Sequence, residues 1–158
     1  KDTQHSYTFH GRDVYANTGA KLAAGVITFE EIGPELPVEG LLELPTGTVE
    51  TAEDCVSGCV DILDVRFGSL WTNIPRETFE QIGVGFGDEV EVTIEKNGIL
   101  VYKNRITYGH SFADVHIGEA LVYVNSLYRM AVAINQGSFA RAYSVGTGMH
   151  WRITFRRV

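Results

Sequence analysis

The most constraining stretch of this sequence is Glu89-Val90-Glu91-Val92-Thr93-Ile94-Glu95, in which acidic or polar and β-branched residues alternate strictly. Period two is the repeat of a strand with one buried and one wetted face, and a helix cannot accommodate it. Asn97-Gly98 follows, the dipeptide that a two-residue hairpin turn favours, and Ile99 to Ile106 returns as the partner strand. A chain holding this hairpin must find further strands to cover its apolar side.

Those strands are legible on both sides of it. Val56 to Asp64 alternates in part, and Ser69 to Ile74 forms a second run. Ala120 to Asn125 and Arg129 to Ile134 pair around Ser126-Leu127-Tyr128, and Trp151 to Arg156 alternates again. Pro75 opens a short helix, Arg76 to Ile82, which Gly83 ends. Short strands at such spacing predict a mainly β domain, a small antiparallel barrel or sandwich, over residues 48–158. Residues 1–11 read as polar turn. Residues 12–25 read as a helix with Ala16, Ala20, Ala23 and Ala24 on one face and Gly25 as its cap, and 26–47 as a proline-rich connector. Glu89, Glu91 and Glu95 share one face, expected to be the solvated side of an edge strand.

Composition narrows the function classes. The net charge of -7 excludes a broad nucleic-acid footprint or anionic-membrane surface, because both need clustered Lys and Arg. No apolar run approaches the ~18 residues of a transmembrane helix, and the opening Lys1-Asp2-Thr3-Gln4-His5 is not a signal peptide. The sequence begins without Met, as a fragment or a processed product would. Cys55 and Cys59 lack the further ligands a zinc site needs and read as small apolar residues of a reducing, cytoplasmic compartment.

Three segments carry polar chemistry. In Thr8-Phe9-His10-Gly11-Arg12-Asp13, His10 can act as acid, base or orienting donor, Gly11 admits close backbone approach, and Arg12 and Asp13 can pair or cap the helix. The bland alternative is a capping turn with an exposed histidine. In Asp64 to Asn73, aromatic residues at a glycine turn can sandwich a flat ligand, or Phe67 and Trp71 are simply core. Val124-Asn125-Ser126-Leu127-Tyr128 and Ala133 to Ser138 offer hydroxyl, amide and backbone groups that suit a purine edge, and equally suit ordinary turns.

Taken in order, TFHGRD, FGSLWTNI, SFAD and YVNS make the chain resemble the C-terminal half of the S-adenosyl-L-methionine hydroxide adenosyltransferases, a family that includes the bacterial fluorinase and chlorinase. The resemblance runs from about Tyr7 to about Tyr143. It implies a C-terminal β-barrel preceded by the tail of an α/β/α domain, and a homotrimer with each active site between neighbouring subunits. S-adenosyl-L-methionine is then the substrate, adenosine a product, and no cofactor is expected.

Position by position, the resemblance makes Phe9 a pocket residue and His10 the histidine that positions water, where halogenases carry Tyr. Gly11 stands at the fluorinase's halide-contacting serine, so His10-Gly11 favours water as nucleophile. Asp64 corresponds to the aspartate that holds the methionine ammonium. Phe67, Ser69, Trp71 and Phe112 correspond to pocket positions. Asn125 lies beside Ser126, whose counterpart contacts the amino-acid carboxylate, and Asn135 and Gln136 fall near adenine. Leu127 and Ile134 replace fluorinase arginines, a departure that bears on carboxylate binding. The expected function is S-adenosyl-L-methionine hydrolysis, dependent on polypeptide this sequence lacks. The alternatives are a halide-dependent synthase and a non-catalytic nucleoside-binding or trimerisation module.

Overall fold

A computed structural model of the chain describes residues 8–43 and 45–158; the turn-like reading of residues 1–7 lies outside them. Two compact units divide at Leu44 and Pro45, and each is described by itself.

The first unit opens with a π-helical turn, Gly11–Ala16, that runs into helix α1, Asn17–Ala23. The expected helix is present, but its first turn is wound more widely than an α-helix. Its end follows from Gly25, whose φ of 67° is the left-handed conformation that glycine adopts without a Cβ penalty. The Val26 N–H donates to Lys21 O at 2.9 Å and the Gly25 N–H to Leu22 O at 3.0 Å, the paired bonds of a Schellman stop. Ala16, Ala20, Ala23 and Ala24 are all exposed. Arg12 pairs with Asp13 rather than capping the helix, and Asp13 is the buried residue of this turn.

The second unit is a β-barrel. Its strands are β1 (Glu50–Thr51), β2 (Cys55–Asp64), β3 (Ser69–Pro75), β4 (Glu89–Lys96), β5 (Ile99–Tyr108), β6 (Ala120–Val124), β7 (Arg129–Ile134) and β8 (Gly148–Arg157). The sheet order is β1-β2-β3-β7-β6-β5-β4-β8, and β2 also pairs with β8. That last pairing closes seven strands into the barrel and leaves β1 as a stub on β2. Every pairing is antiparallel but one: β5 and β6 run parallel and meet over Thr107↔Leu121 and Tyr108↔Val122.

The hairpin that most constrained the sequence is β4–β5. Asn97 and Gly98 have φ of 50° and 77°, the left-handed pair that a two-residue hairpin turn requires. Val90, Val92 and Ile94 point into the core, each fully buried. The glutamates face outward as expected, but β4 is not an edge strand: it pairs with β5 on one side and β8 on the other. An outward polar face looks the same in sequence whether the strand is at an edge or inside a closed sheet, because alternation reports faces and not neighbours.

Helix α2 (Arg76–Glu80) follows β3, and helix α3 (Phe139–Tyr143) follows β7. Because β3 and β7 are antiparallel neighbours, the two helices stand at opposite ends of the barrel. Each inserts a phenylalanine. Phe79 is fully buried and meets Tyr108 and Phe155 edge-on, at 5.0 Å and 5.3 Å between centroids. Phe139 is fully buried against Tyr102 at 4.9 Å. Burying each such ring contributes roughly 2–3 kcal/mol. Cys55 and Cys59 are free thiols in β2, and burial pushes the Cys59 thiol up. Among the described residues no helix is long and apolar enough to cross a membrane.

Candidate functional site

A cavity of about 790 Å³ in the barrel unit opens at the end where α3 sits. Its first wall is the β2–β3 hairpin. Asp64 and Ser69 are register partners, and residues 65–68 turn between them. The Gly68 N–H returns to Asp64 O at 2.6 Å, and the Arg66 N–H donates to Asp64 Oδ1 at 3.1 Å, so the carboxylate is held by its own turn.

Gly68 also sets how near the turn comes to α3. Its φ is 71°, and a Cβ there would lie 2.8 Å from Ser138 Cα and closer still to Ser138 Oγ. The Ala140 N–H donates to Gly68 O at 3.0 Å. Ser138 in turn caps α3, its Oγ accepting from the Arg141 N–H at 3.3 Å. The segment from Asn135 to Arg141 thereby forms the second wall.

The third wall is Phe112, on a single 3-10 turn that Ser111 and Asp114 close as a capping box. Asn135 fixes the loop that follows, donating Nδ2–H to Val115 O at 3.0 Å, while the Asn135 N–H bonds Glu119 O at 2.9 Å. Phe112 packs on Tyr123 at 5.2 Å between centroids. Tyr123 lines the cavity and its hydroxyl accepts from Trp71 Nε1–H at 3.3 Å.

Beneath these rings the barrel's outer face is built from small residues. Trp71 and Tyr123 both pair with Ala131, one from each side. Ala131 and Ala133 are buried yet stand outside the main core cluster. They form a floor over which two aromatic side chains can meet.

Six of the sequence-predicted residues therefore gather at one cavity: Asp64, Phe67, Ser69, Phe112, Asn135 and Gln136. Phe67 is 67% exposed and Trp71 lies outside the core cluster, so the reading of both as core is corrected. Trp71 stands one hydrogen bond behind the cavity wall. Asn125 and Ser126 lie in the β6–β7 turn, at the opposite end of β7. Asn125 is buried, its Oδ1 accepting from the Leu127 and Arg129 N–H groups at 2.9 Å and 3.1 Å, and its Nδ2 has no partner among the described residues. Leu127 lines a separate cavity of about 430 Å³ with Arg76, Glu80 and Tyr128. Phe9, His10 and Gly11 belong to the first unit, where all three are exposed.

Sequence reasoning passed over Arg66, Tyr123 and Arg141, which line the main cavity. Tyr123 had a usable signal, since it occupies an outward position of an alternating strand. Arg141 had none, because a five-residue helix is too short to show a period. The cavity thus combines aromatic rings, side-chain amides, one carboxylate and two guanidinium groups. Rings and amides suit a flat heteroaromatic ligand, and charges of both signs suit a zwitterion.

The chain has counterparts among known proteins. Residues 58–152 match the SAM hydroxide adenosyltransferase C-terminal domain, and the chain belongs to that family. It is 33% identical over 150 residues to a fluorinase of Actinopolyspora mzabensis, covering 93% of this chain and 48% of that protein. It is 36% identical over 146 residues to the (R)-S-adenosyl-L-methionine hydrolase of Thermus thermophilus, covering 92% and 49%. The crystal structure of an uncharacterized conserved protein from Thermotoga maritima superposes with a TM-score of 0.67 at 34% identity, over 96% of this chain and 54% of that one. The chain spans about half the length of the relatives it matches.

Proposed function

We propose that this chain is the C-terminal half of an S-adenosyl-L-methionine hydrolase, in which water attacks C5′ of the ribose to give adenosine, L-methionine and a proton. One observation carries the reading: in a chain of this family, aromatic rings, the Asn135 and Gln136 amides and the Asp64 carboxylate converge on one cavity. The sulfonium is an activated leaving group and departs as a neutral thioether. The protein therefore needs to align the nucleophile and thin its hydration, with no anion to stabilise on the departing side.

In this reading Phe67 and Phe112 flank the adenine, Ser69, Asn135 and Gln136 meet its polar edges, and Asp64 holds the ammonium. Trp71, Asn125 and Ser126 extend the site along the outer face of β7. His10 orients the water, with Phe9 and Gly11 beside it. The remaining groups come from polypeptide beyond this chain, in a homotrimer whose subunits share each site. No cofactor takes part, no nucleic acid or membrane is a partner, and the setting is cytoplasmic.

A second reading has a specific support. Three fluorinases are among the relatives, at 30–33% identity, so a halide in place of water is the rival nucleophile. His10-Gly11 favours water. Product analysis of the native-length protein with S-adenosyl-L-methionine, with and without chloride and fluoride, decides. Adenosine alone is expected, and 5′-halo-adenosine would overturn the hydrolase reading. The isolated 158 residues are expected to bind nucleoside weakly and not turn over; calorimetry showing tight binding would contradict a shared site.

A further inference from the structure

Arg12 and Asp13 take no part in the chemistry proposed for this chain. They sit in the first unit, in the π-helical turn Gly11–Ala16 that follows His10 directly. Such turns are rare and frequently mark functional sites. A π-helical turn also rotates less per residue than an α-helix, so successive side chains diverge less. In an α-helix adjacent residues do not face each other. Here they form a fork: Arg12 Nε–H donates to Asp13 Oδ1 at 2.5 Å and Nη2–H to Oδ2 at 3.2 Å.

The fork has one buried and one wetted end. The Asp13 side chain is 3% exposed and the Arg12 side chain 63%. A buried carboxylate must be paired, and a bidentate pair fixes the orientation of the guanidinium as well as its distance. That guanidinium lies over Phe9: Arg12 Cζ is 5.0 Å from the ring centroid, within reach of a cation–π contact. The Asp13 N–H also donates to Phe9 O at 2.9 Å. Phe9 is thus held twice, by its carbonyl through the Asp13 backbone and by its ring through the Arg12 side chain. His10 stands between the two attachments, bonded to Phe9 on one side and to Arg12 through Gly11 on the other. Gly11 cannot fix that joint itself. It has no Cβ, and no atom of the described residues lies within 4 Å of where one would stand.

We propose that Arg12, anchored by the buried Asp13, is a positioning residue for His10: it holds the Phe9 ring and so fixes the backbone from which the histidine reaches the attacking water. The inference rests on the reading of His10 as the water-orienting group, and it places neither Arg12 nor Asp13 against the substrate. Alignment of a nucleophile is steep, since a displacement of ~1 Å costs roughly a hundredfold in rate.

The test is a double-variant cycle in the native-length protein, read as kcat and KM for adenosine release from S-adenosyl-L-methionine. Arg12→Met is expected to lower kcat roughly ten- to hundredfold with KM within about twofold of the parent. Arg12→Lys is expected to fall between, since it keeps a cation over the ring and loses the fork. In the His10→Ala background, Arg12→Met is expected to cost nothing more, because no histidine is left to place. Arg12→Met combined with Asp13→Asn leaves no buried charge unpaired and is expected to show the same loss, so it answers if the single variant does not fold. An unchanged kcat in Arg12→Met, or losses that multiply when it is combined with His10→Ala, would overturn the positioning role while leaving His10 in place. Adenosine release at the parent rate in His10→Ala, or none from the parent itself, would overturn the reading of His10 and the positioning role together.

Discussion

Trp71 reaches Tyr123 across Ala131: the indole N–H donates to the phenol oxygen at 3.3 Å, and both residues pair with the alanine that lies between them. Two strands' worth of aromatic surface meet only because the residue on the strand between is small. Ala131→Leu is expected to destabilise the barrel by about 1–3 kcal/mol, as overpacking of a filled position does. Tyr123→Phe is expected to cost about 1 kcal/mol and to shift the tryptophan emission. Urea denaturation and fluorescence spectra check both, and an unchanged midpoint in Ala131→Leu would contradict the packing described.

Gly68→Ala tests how the cavity walls are joined. At a φ of 71° and with Ser138 Cα 2.8 Å from the new methyl, the substitution meets both backbone strain and a contact that cannot relax by rotating a side chain. A loss of ~1–3 kcal/mol is expected. Ligand binding should fall with it, because the Asp64 turn must withdraw from α3. Thermal melts and titration of the same variant give the two readings.

The role assigned to His10 is checked by kinetics. In the native-length protein, His10→Ala is expected to lower kcat for adenosine release by ~100-fold or more, with KM for S-adenosyl-L-methionine nearly unchanged. Chromatographic detection of adenosine at the parent rate would remove His10 from the chemistry.

Alkaline stability should report on Tyr108. Burial, and then the neighbouring Glu80 carboxylate that accepts its O–H at 3.1 Å, push this phenol up to about 12 from 10.0. The unfolded chain releases the proton first, so the folded state loses its advantage as pH rises from about 10 and has lost it above about 12. The decline over that window is expected to be on the order of 2 kcal/mol. Tyr108→Phe should show a shallower decline over the same window. Parallel urea titrations at stepped pH would expose any failure of that difference.

Much of the barrel could be read before any coordinates. The β4–β5 hairpin, the β6–β7 pair, α2 with its Pro75 start and the Gly25 stop all rest on local chemistry, and local chemistry is written in neighbouring residues. Which strands close the barrel was not legible. The β2–β8 pairing joins residues about a hundred positions apart, and alternation says which face a residue takes without naming the strand beside it. The same blindness made β4 look like an edge and hid the parallel β5–β6 contact. At the site, Asp64, Phe67, Ser69, Phe112, Asn135 and Gln136 were drawn by resemblance and meet at one cavity. Arg141 stood outside every quoted string, because a side chain's place across a cavity depends on Gly68 touching Ser138, a contact between residues 70 apart in sequence.

The two-residue meeting of β5 with β6 gives the barrel a seam. Elsewhere around the wall, longer ladders hold each strand on both sides, whereas between Ile99 and Ile106 β5 is hydrogen-bonded to β4 alone. Opening the cylinder there breaks the fewest bonds, so amide protons along the seam should exchange with deuterium well ahead of those of β8, which is clasped between β2 and β4.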